Sequence, residues 1–190
     1  MFKTNAQMEV TITKLVVVGG VAGGASAAAR VRRLDAEADI KIFERGEHVS
    51  FSNCALPYYL GGVVESDEDL IMMFPEDFKI NHDIDVYTRH EVISINRDRM
   101  TVTVRNLNTG NEYEESYDKL VLSPGARPVL PNIINGIDSA NVFTIRNVTD
   151  ISRLKLTLDA AGVNDVTVVG GGFIGIETAE NLKNPERMLL

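Results

Sequence analysis

KLVVVGGVAGGASAAARVRRL, residues 14–34, joins a strand, a glycine turn and a helix in that order. Lys14 to Val18 is a short β-branched run suited to a strand buried on both faces. The Ala-rich segment from Gly24 to Leu34 is a strong helix former, and Arg30, Arg32 and Arg33 near its end complement the negative pole of the helix dipole. The turn between them presents backbone N–H groups to a pyrophosphate. Gly19 and Gly24 hold the outer positions of G-x-G-x-x-G, and Val21 stands where the middle glycine is expected. The next strand, in ADIKIFER, residues 38–45, ends in Glu44, 25 residues after Gly19, where an acid can accept hydrogen bonds from ribose hydroxyls.

A second copy follows. DVTVVGGGFIGIETAENL, residues 165–182, repeats the order strand, turn, helix, with Gly170, Gly172 and Gly175 completing the fingerprint and Glu177 in the first turns of the helix. Two such units in one chain point to two nucleotides rather than to a packing coincidence. Between them, residues 85–128 alternate apolar and polar from Glu91 to Val104, turn at NLNTGN and resume at ESYDKLVLS. That texture predicts a small antiparallel layer returning to the main sheet. LVLSPGARPVLP ends a buried strand at Ser123 and turns on Pro124 and Gly125, which exposes backbone at a strand end, where α/β sheets bind ligands. TDISRLKLTLDAAG, residues 149–162, predicts an amphipathic helix with Thr149 or Asp150 as N-cap and Gly162 as its stop.

With 190 residues and 44% hydrophobic content, the chain can bury a core for one large domain or two small ones. Twenty-seven acidic against nineteen basic residues give a formal charge of −8, which works against a general nucleic-acid role. Any anion must meet a local basic cluster. No stretch approaches the about 18 apolar residues of a membrane span, and residues 1–13 lack the apolar centre of a signal peptide. No membrane partner and a cytoplasmic location are expected, and no metal site is assigned. Cys54 is the only cysteine, in SFSNCALPYYLGG, residues 50–62. It cannot staple a fold, and a lone cysteine commonly packs as a small hydrophobe.

VVVGGVAGGASAAARVRRL, IFERGEHVSFSNCALPYYLGG, YDKLVLSPGARP and VVGGGFIGIE, in that order, resemble the flavin-dependent pyridine-nucleotide disulfide reductases. The likeness runs from about Lys14 to the chain end. It is strongest to the single-cysteine branch that holds the coenzyme A-disulfide reductases and NADH-dependent persulfide reductases, where Val21 in GGVAGG is common. The resemblance implies an α/β fold: a Rossmann-like FAD-binding domain with a small antiparallel layer, then the start of a Rossmann-like NAD(P)-binding domain. Residues 1–13 would be an extension, 14–125 the first part of the FAD domain, and 126–190 a connector and the start of the second domain. FAD would lie on Gly19, Gly20, Val21, Ala22, Gly23 and Gly24, on Glu44 and Arg45, and at Ser123, Pro124 and Gly125. NADH or NADPH would lie on Gly170, Gly172, Phe173, Ile174, Gly175 and Glu177.

Two-cysteine relatives store electrons in an internal disulfide, so Cys54 must find its partner elsewhere: a small thiol in a mixed disulfide, or an oxygen as sulfenic acid. Asn53 and Ser50 can donate hydrogen bonds to the sulfur, and Cys54 is expected to open a helix through ALPYYLGG whose dipole favours a thiolate. In the family the sulfur sits beside the flavin. Coenzyme A carries phosphates and calls for cations. By resemblance Arg30 and Arg33, with Ser26, Ser50, Asn53 and His82, line its channel; the alternative is that Arg30, Arg32 and Arg33 solvate the helix end. His48 and His90 receive no role.

The expected activity is transfer of electrons from NAD(P)H through FAD and Cys54 to coenzyme A disulfide, persulfide or polysulfide. An NADH oxidase or peroxidase with a sulfenic acid, and a nucleotide-binding piece without turnover, stay open. The Pro-Tyr pair after Cys54 favours the disulfide and persulfide reductases over the oxidases. Relatives continue through further domains, including a dimerisation domain, so the chain is expected to be a fragment of a homodimeric enzyme. Pro185 interrupts its last helix. The residue that separates a 2′-hydroxyl from a 2′-phosphate lies past Leu190 in relatives, which leaves NADH and NADPH both open.

Overall fold

The computed structural model describes residues 13–160, 163 and 165–183. In chain order the helices are α1 (Ala22–Leu34), α2 (Leu56–Leu60), α3 (Pro75–His82), α4 (Val148–Ala160) and α5 (Phe173–Leu182). The strands are β1 (Lys14–Val18), β2 (Asp39–Phe43), β3 (Asp85–Tyr87), β4 (His90–Asn96), β5 (Thr101–Asn106), β6 (Glu112–Ser116) and β7 (Lys119–Leu122). They fall into two compact units, Met1–Gly46 with Pro75–Ser123, and Glu47–Phe74 with Pro124–Leu190.

The first unit is an α/β layer with four parallel strands in the order β3-β2-β1-β7. Val18 pairs with Phe43 on one side and Leu122 on the other, so the glycine turn after β1 emerges between two strand ends. The chain runs from β1 through α1 to β2 on one side, and β7 closes the other. Strand order therefore reverses at β1, which is where an open α/β sheet forms a ligand crevice.

Alternation along β1 separates its two faces. Val17 meets the α1 face, where its Cγ1 lies 3.0 Å from the position a Cβ on Gly24 would take. Val16 packs with Phe43, Val102, Val104 and Tyr117 on the other face, so β5 covers the sheet. β5 is the centre of the antiparallel sheet β4-β5-β6. The alternation expected to run unbroken from Glu91 to Val104 is interrupted: Arg97–Met100 forms a turn, closed by Met100 at φ 53, and a bulge lies between Val92 and Ser94. The polar run Asn96 to Arg99 was the signal for that turn.

α1 begins at Ala22, two residues before the expected start. Its far end is clasped by Arg32, whose guanidinium donates to the carbonyls of Ala38 (2.6 Å), Asp83 (2.8 Å) and His82 (2.9 Å). Arg32 therefore ties the end of α1 to the end of α3 instead of solvating it.

In the second unit α2 packs against both α4 and α5. α4 buries Val148, Ile151 and Leu154; full burial of a side chain such as Ile151 contributes about 1.5–3 kcal/mol. Its cap is Asn147, whose Oδ1 accepts the Asp150 N–H at 2.8 Å, and the expected caps Thr149 and Asp150 lie within the first turn. Asn wins because its side chain reaches the N3 amide from the residue before the helix. The expected stop at Gly162 and the break at Pro185 lie outside the described residues. The helix of the second glycine unit forms as α5, but the run expected as its strand has no partner strand among the described residues and joins no ladder. Val166, Val168 and Val169 are exposed there.

Candidate functional site

The first glycine turn has the geometry its spacing implies. Gly19 sits at φ 91, in the region open to glycine. A Cβ on Gly24 would overlap the Gly19 carbonyl, so only glycine lets α1 pack this close to its own turn. Val21, at the middle position, has a negative φ of −90, unlike Gly19. No side chain caps α1 and no acid occupies its first turn, which leaves the N–H groups around Val21, Ala22 and Gly23 open to an anion. Ser123 stands alongside: its N–H donates to Val18 O at 2.8 Å, and a Cβ on Gly23 would lie 3.2 Å from its Oγ.

Glu44 does more than the sequence suggested. Its Oε2 accepts the Gly20 N–H at 2.8 Å and its Oε1 accepts the Gly46 N–H at 2.7 Å. The carboxylate thus holds the glycine turn onto the end of β2, and each oxygen keeps a lone pair for a ribose hydroxyl. Arg45 is exposed and pairs with Glu91 at 3.6 Å. An open helix N-terminus, a turn without side chains and an acid at the neighbouring strand end fit an adenine dinucleotide such as FAD.

The second turn repeats the first. Gly170 sits at φ 113, and a Cβ on Gly175 would overlap the Gly170 carbonyl. Gly172 is the uncapped N-cap of α5; Phe173 and Ile174 are exposed and Glu177 is half-buried. The same close approach, made twice by one chain, sets two dinucleotide-type turns.

Cys54 is free and exposed, not packed. The segment leading to it is fixed: Ser50 takes a left-handed φ of 47, Phe51 bridges Ile71, the Met72 N–H donates to Ser50 O at 2.7 Å and the Ser52 N–H to Leu70 O at 2.8 Å. A left-handed serine costs about 1–3 kcal/mol and persists where the surroundings over-determine it. Cys54 does not open a long helix. It is the middle of a single 3₁₀ turn, Asn53–Ala55, followed by the five-residue α2, which buries Leu56, Pro57, Tyr59 and Leu60. Pro57 starts α2 afresh where the sequence was expected to run on as one helix.

Sequence reasoning missed Arg146, which donates to Asn53 Oδ1 at 3.2 Å and to Ala126 O at 3.0 Å. It also missed a groove of about 540 Å³ lined by His48, Asp67, Ser152 and residues of α4. Ser152 donates to Asp67 at 2.8 Å, and burial pushes the His48 imidazole below its ordinary value against the pull of Asp67. Burial, then Asp67, pushes the Tyr59 phenol up. The remaining expected substrate residues divide between the units. Ser26, Arg30, Arg33 and His82 belong to the first, with Ser26, Arg30 and Arg33 exposed on α1; Ser50, Asn53 and Cys54 belong to the second.

Residues 13–187 match the family model described as pyridine nucleotide-disulphide oxidoreductase. The coenzyme A disulfide reductase of Staphylococcus aureus (strain JH9) is 48% identical over 169 residues, 89% of this chain and 38% of that protein. The reduced CoADR-RHD of Bacillus anthracis superposes with a TM-score of 0.88 at 46% identity, over 92% of this chain and 31% of that one. A NAD-dependent persulfide reductase from A. fulgidus gives 0.86 at 38% identity, over 90% and 32%. The chain therefore spans about a third of the length of these relatives, and it belongs to the pyridine nucleotide-disulphide oxidoreductase family.

Proposed function

We propose that these residues belong to an FAD-dependent NAD(P)H:disulfide oxidoreductase that reduces coenzyme A disulfide or a persulfide, with Cys54 as its redox-active thiol. The observation that carries this reading is an exposed cysteine on a pinned loop, the one cysteine of these 190 residues of a family chain. The Cys54 thiolate attacks one sulfur of the substrate disulfide, forming a mixed disulfide and releasing the other half as a thiolate. Cleavage of this mixed disulfide returns Cys54 to the thiolate and releases the second half of the substrate as a thiolate; a bound FAD would supply the two electrons, taken from the nicotinamide. The first glycine turn and Glu44 hold the FAD pyrophosphate and ribose, and Gly170 to Gly175 with Glu177 hold the nicotinamide nucleotide. In the first unit Arg30 and Arg33, with Ser26 and His82, supply the cations and polar groups for the phosphates of coenzyme A; in the second, Ser50 and Asn53 flank the Cys54 thiol. The protein works in the cytoplasm, where small thiols are kept reduced.

Cys54→Ser tests this reading. Serine keeps the size but neither ionises near neutral pH nor forms a mixed disulfide, so in the whole enzyme FAD should stay bound and reducible by NAD(P)H while disulfide reduction is lost. Mass spectrometry of the wild type without reductant should find coenzyme A on Cys54; a sulfenic acid there, with NADH consumed by oxygen alone, would move the protein to the oxidases. Reduction of coenzyme A disulfide by Cys54→Ser at the wild-type rate would return Cys54 to a bystander.

A further inference from the structure

Arg146 precedes α4, and its guanidinium reaches two acceptors far from it in sequence. Its Nη1 donates to Asn53 Oδ1 at 3.2 Å, 93 residues away, and its Nε donates to the carbonyl of Ala126 at 3.0 Å. Nη2 lies 3.1 Å from the place a Cβ on Gly125 would occupy, and Gly125 itself sits at φ 68. Glycine there serves two ends: it takes the left-handed turn and leaves room for the guanidinium. One planar group thus spans the turn after Ser123 and the residue next to Cys54.

The direction of the hydrogen bond has a chemical consequence. An amide whose oxygen is held by a cation must turn its NH₂ the other way. Asn53 Nδ2 has no protein acceptor among the described residues, and Asn53 is half-buried, so its two donors face a ligand or water. We propose that Arg146 is the positioning residue of the thiol site: it fixes the Asn53 amide with its donors presented beside Cys54, for a carbonyl or phosphate oxygen of the substrate. A lysine could not replace it, because one ammonium cannot hold two acceptors in the fixed geometry of the fork. The role in turnover rests on the proposed reading of Cys54, but the clamp on Asn53 does not.

The test has two arms. In the ¹⁵N–¹H spectrum of this chain, the Asn53 side-chain amide pair, assigned by its loss in Asn53→Ala, should stand away from the solvent position and collapse onto it in Arg146→Ala and in Arg146→Lys. In the whole flavoenzyme, Asn53→Ala and Arg146→Ala should each raise KM for coenzyme A disulfide about tenfold, with a smaller change in kcat, as for one lost charge-assisted bond. The double variant should be no worse than Arg146→Ala alone. If Arg146→Ala fails to fold, Arg146→Lys, which keeps charge and bulk, carries both arms. Additive effects, an Arg146→Lys enzyme that behaves as wild type, or an amide pair that does not move would each overturn the proposal. A wild type inert toward coenzyme A disulfide would sink the functional reading and leave the spectral arm to decide on the clamp.

Discussion

At Glu44 an observed structural task and a proposed ribose-binding one fall to the same carboxylate. The sequence offered it as a ribose acceptor, legible from its place at a strand end, but its bonds to Gly20 and Gly46 depend on how the turn folds back and left no mark in the sequence. The double role separates two substitutions. Glu44→Ala loses both acceptors, and Glu44→Gln keeps one oxygen and sets an NH₂ against a backbone N–H; each charge-assisted bond lost costs about 1.5–3 kcal/mol. Both variants should unfold at lower denaturant and retain FAD poorly, Glu44→Gln between wild type and Glu44→Ala. A Glu44→Gln protein with wild-type stability and flavin affinity would remove the carboxylate from both tasks. His48 makes a second prediction at this scale. Burial lowers its native value below 6.5, so below that value the unfolded chain binds more protons than the native one. Stability should fall as pH drops from about 6.5 through the lowered value, and urea unfolding at pH 5 and 7 should show less of that loss in His48→Asn. An unchanged difference between the two pH values would place the acid sensitivity elsewhere.

Between residues and the whole stand the contacts that join elements, and these divide sharply in how far the sequence announces them. A glycine that must let a helix touch its own turn is a local requirement, so Gly24 and Gly175 were legible from spacing alone. The meeting of α2 and α5 was not, because Gly61 and Asn181 are far apart in the chain and no spacing relates them. A Cβ on Gly61 would lie 2.5 Å from Asn181 Oδ1 and 3.1 Å from its Cβ. Asn181 cannot swing aside freely, since its Nδ2 donates to Glu177 O at 2.8 Å. Gly61→Ala should therefore destabilise the chain by about 1–3 kcal/mol, and Asn181→Ala on top of it should recover part of the loss. At Gly62, φ 79 and open space make the alanine cost a backbone one of about 1 kcal/mol that Asn181→Ala cannot repair. Thermal unfolding of the four variants separates the cases, and equal behaviour of Gly61→Ala with and without Asn181 would refute the contact. Because α2 follows directly on the Cys54 turn and α5 on the second glycine turn, this contact joins the thiol segment to the nucleotide segment.

At the scale of the molecule, apolar exposure among the described residues is concentrated in the second unit. Val129, Ile133, Val169 and Phe173 are 82%, 92%, 93% and 87% exposed, while the first unit buries Val16, Val17, Ile42 and Phe43 almost entirely. A periodic run announces that it wants burial but not what will bury it, which is why the valines of residues 166–169 were expected as a strand and stand here in no ladder among the described residues. Exposed apolar side chains favour association, and a formal charge of −8 opposes it by mutual repulsion. The balance is adjustable. Near the isoelectric point of about 4.9 the net charge vanishes, and at about 1 M salt its range shrinks to about 3 Å. This 190-residue chain should therefore self-associate as pH is lowered toward that point or as salt is raised, as measured by sedimentation velocity, and should bind a hydrophobic dye under the same conditions. Val169→Thr with Phe173→Ser should weaken both effects without lowering the unfolding temperature, because neither side chain is buried. Association that persists undiminished in the double variant would mean that the driving surface lies elsewhere, and a lower unfolding temperature would mean that these residues pack in solution.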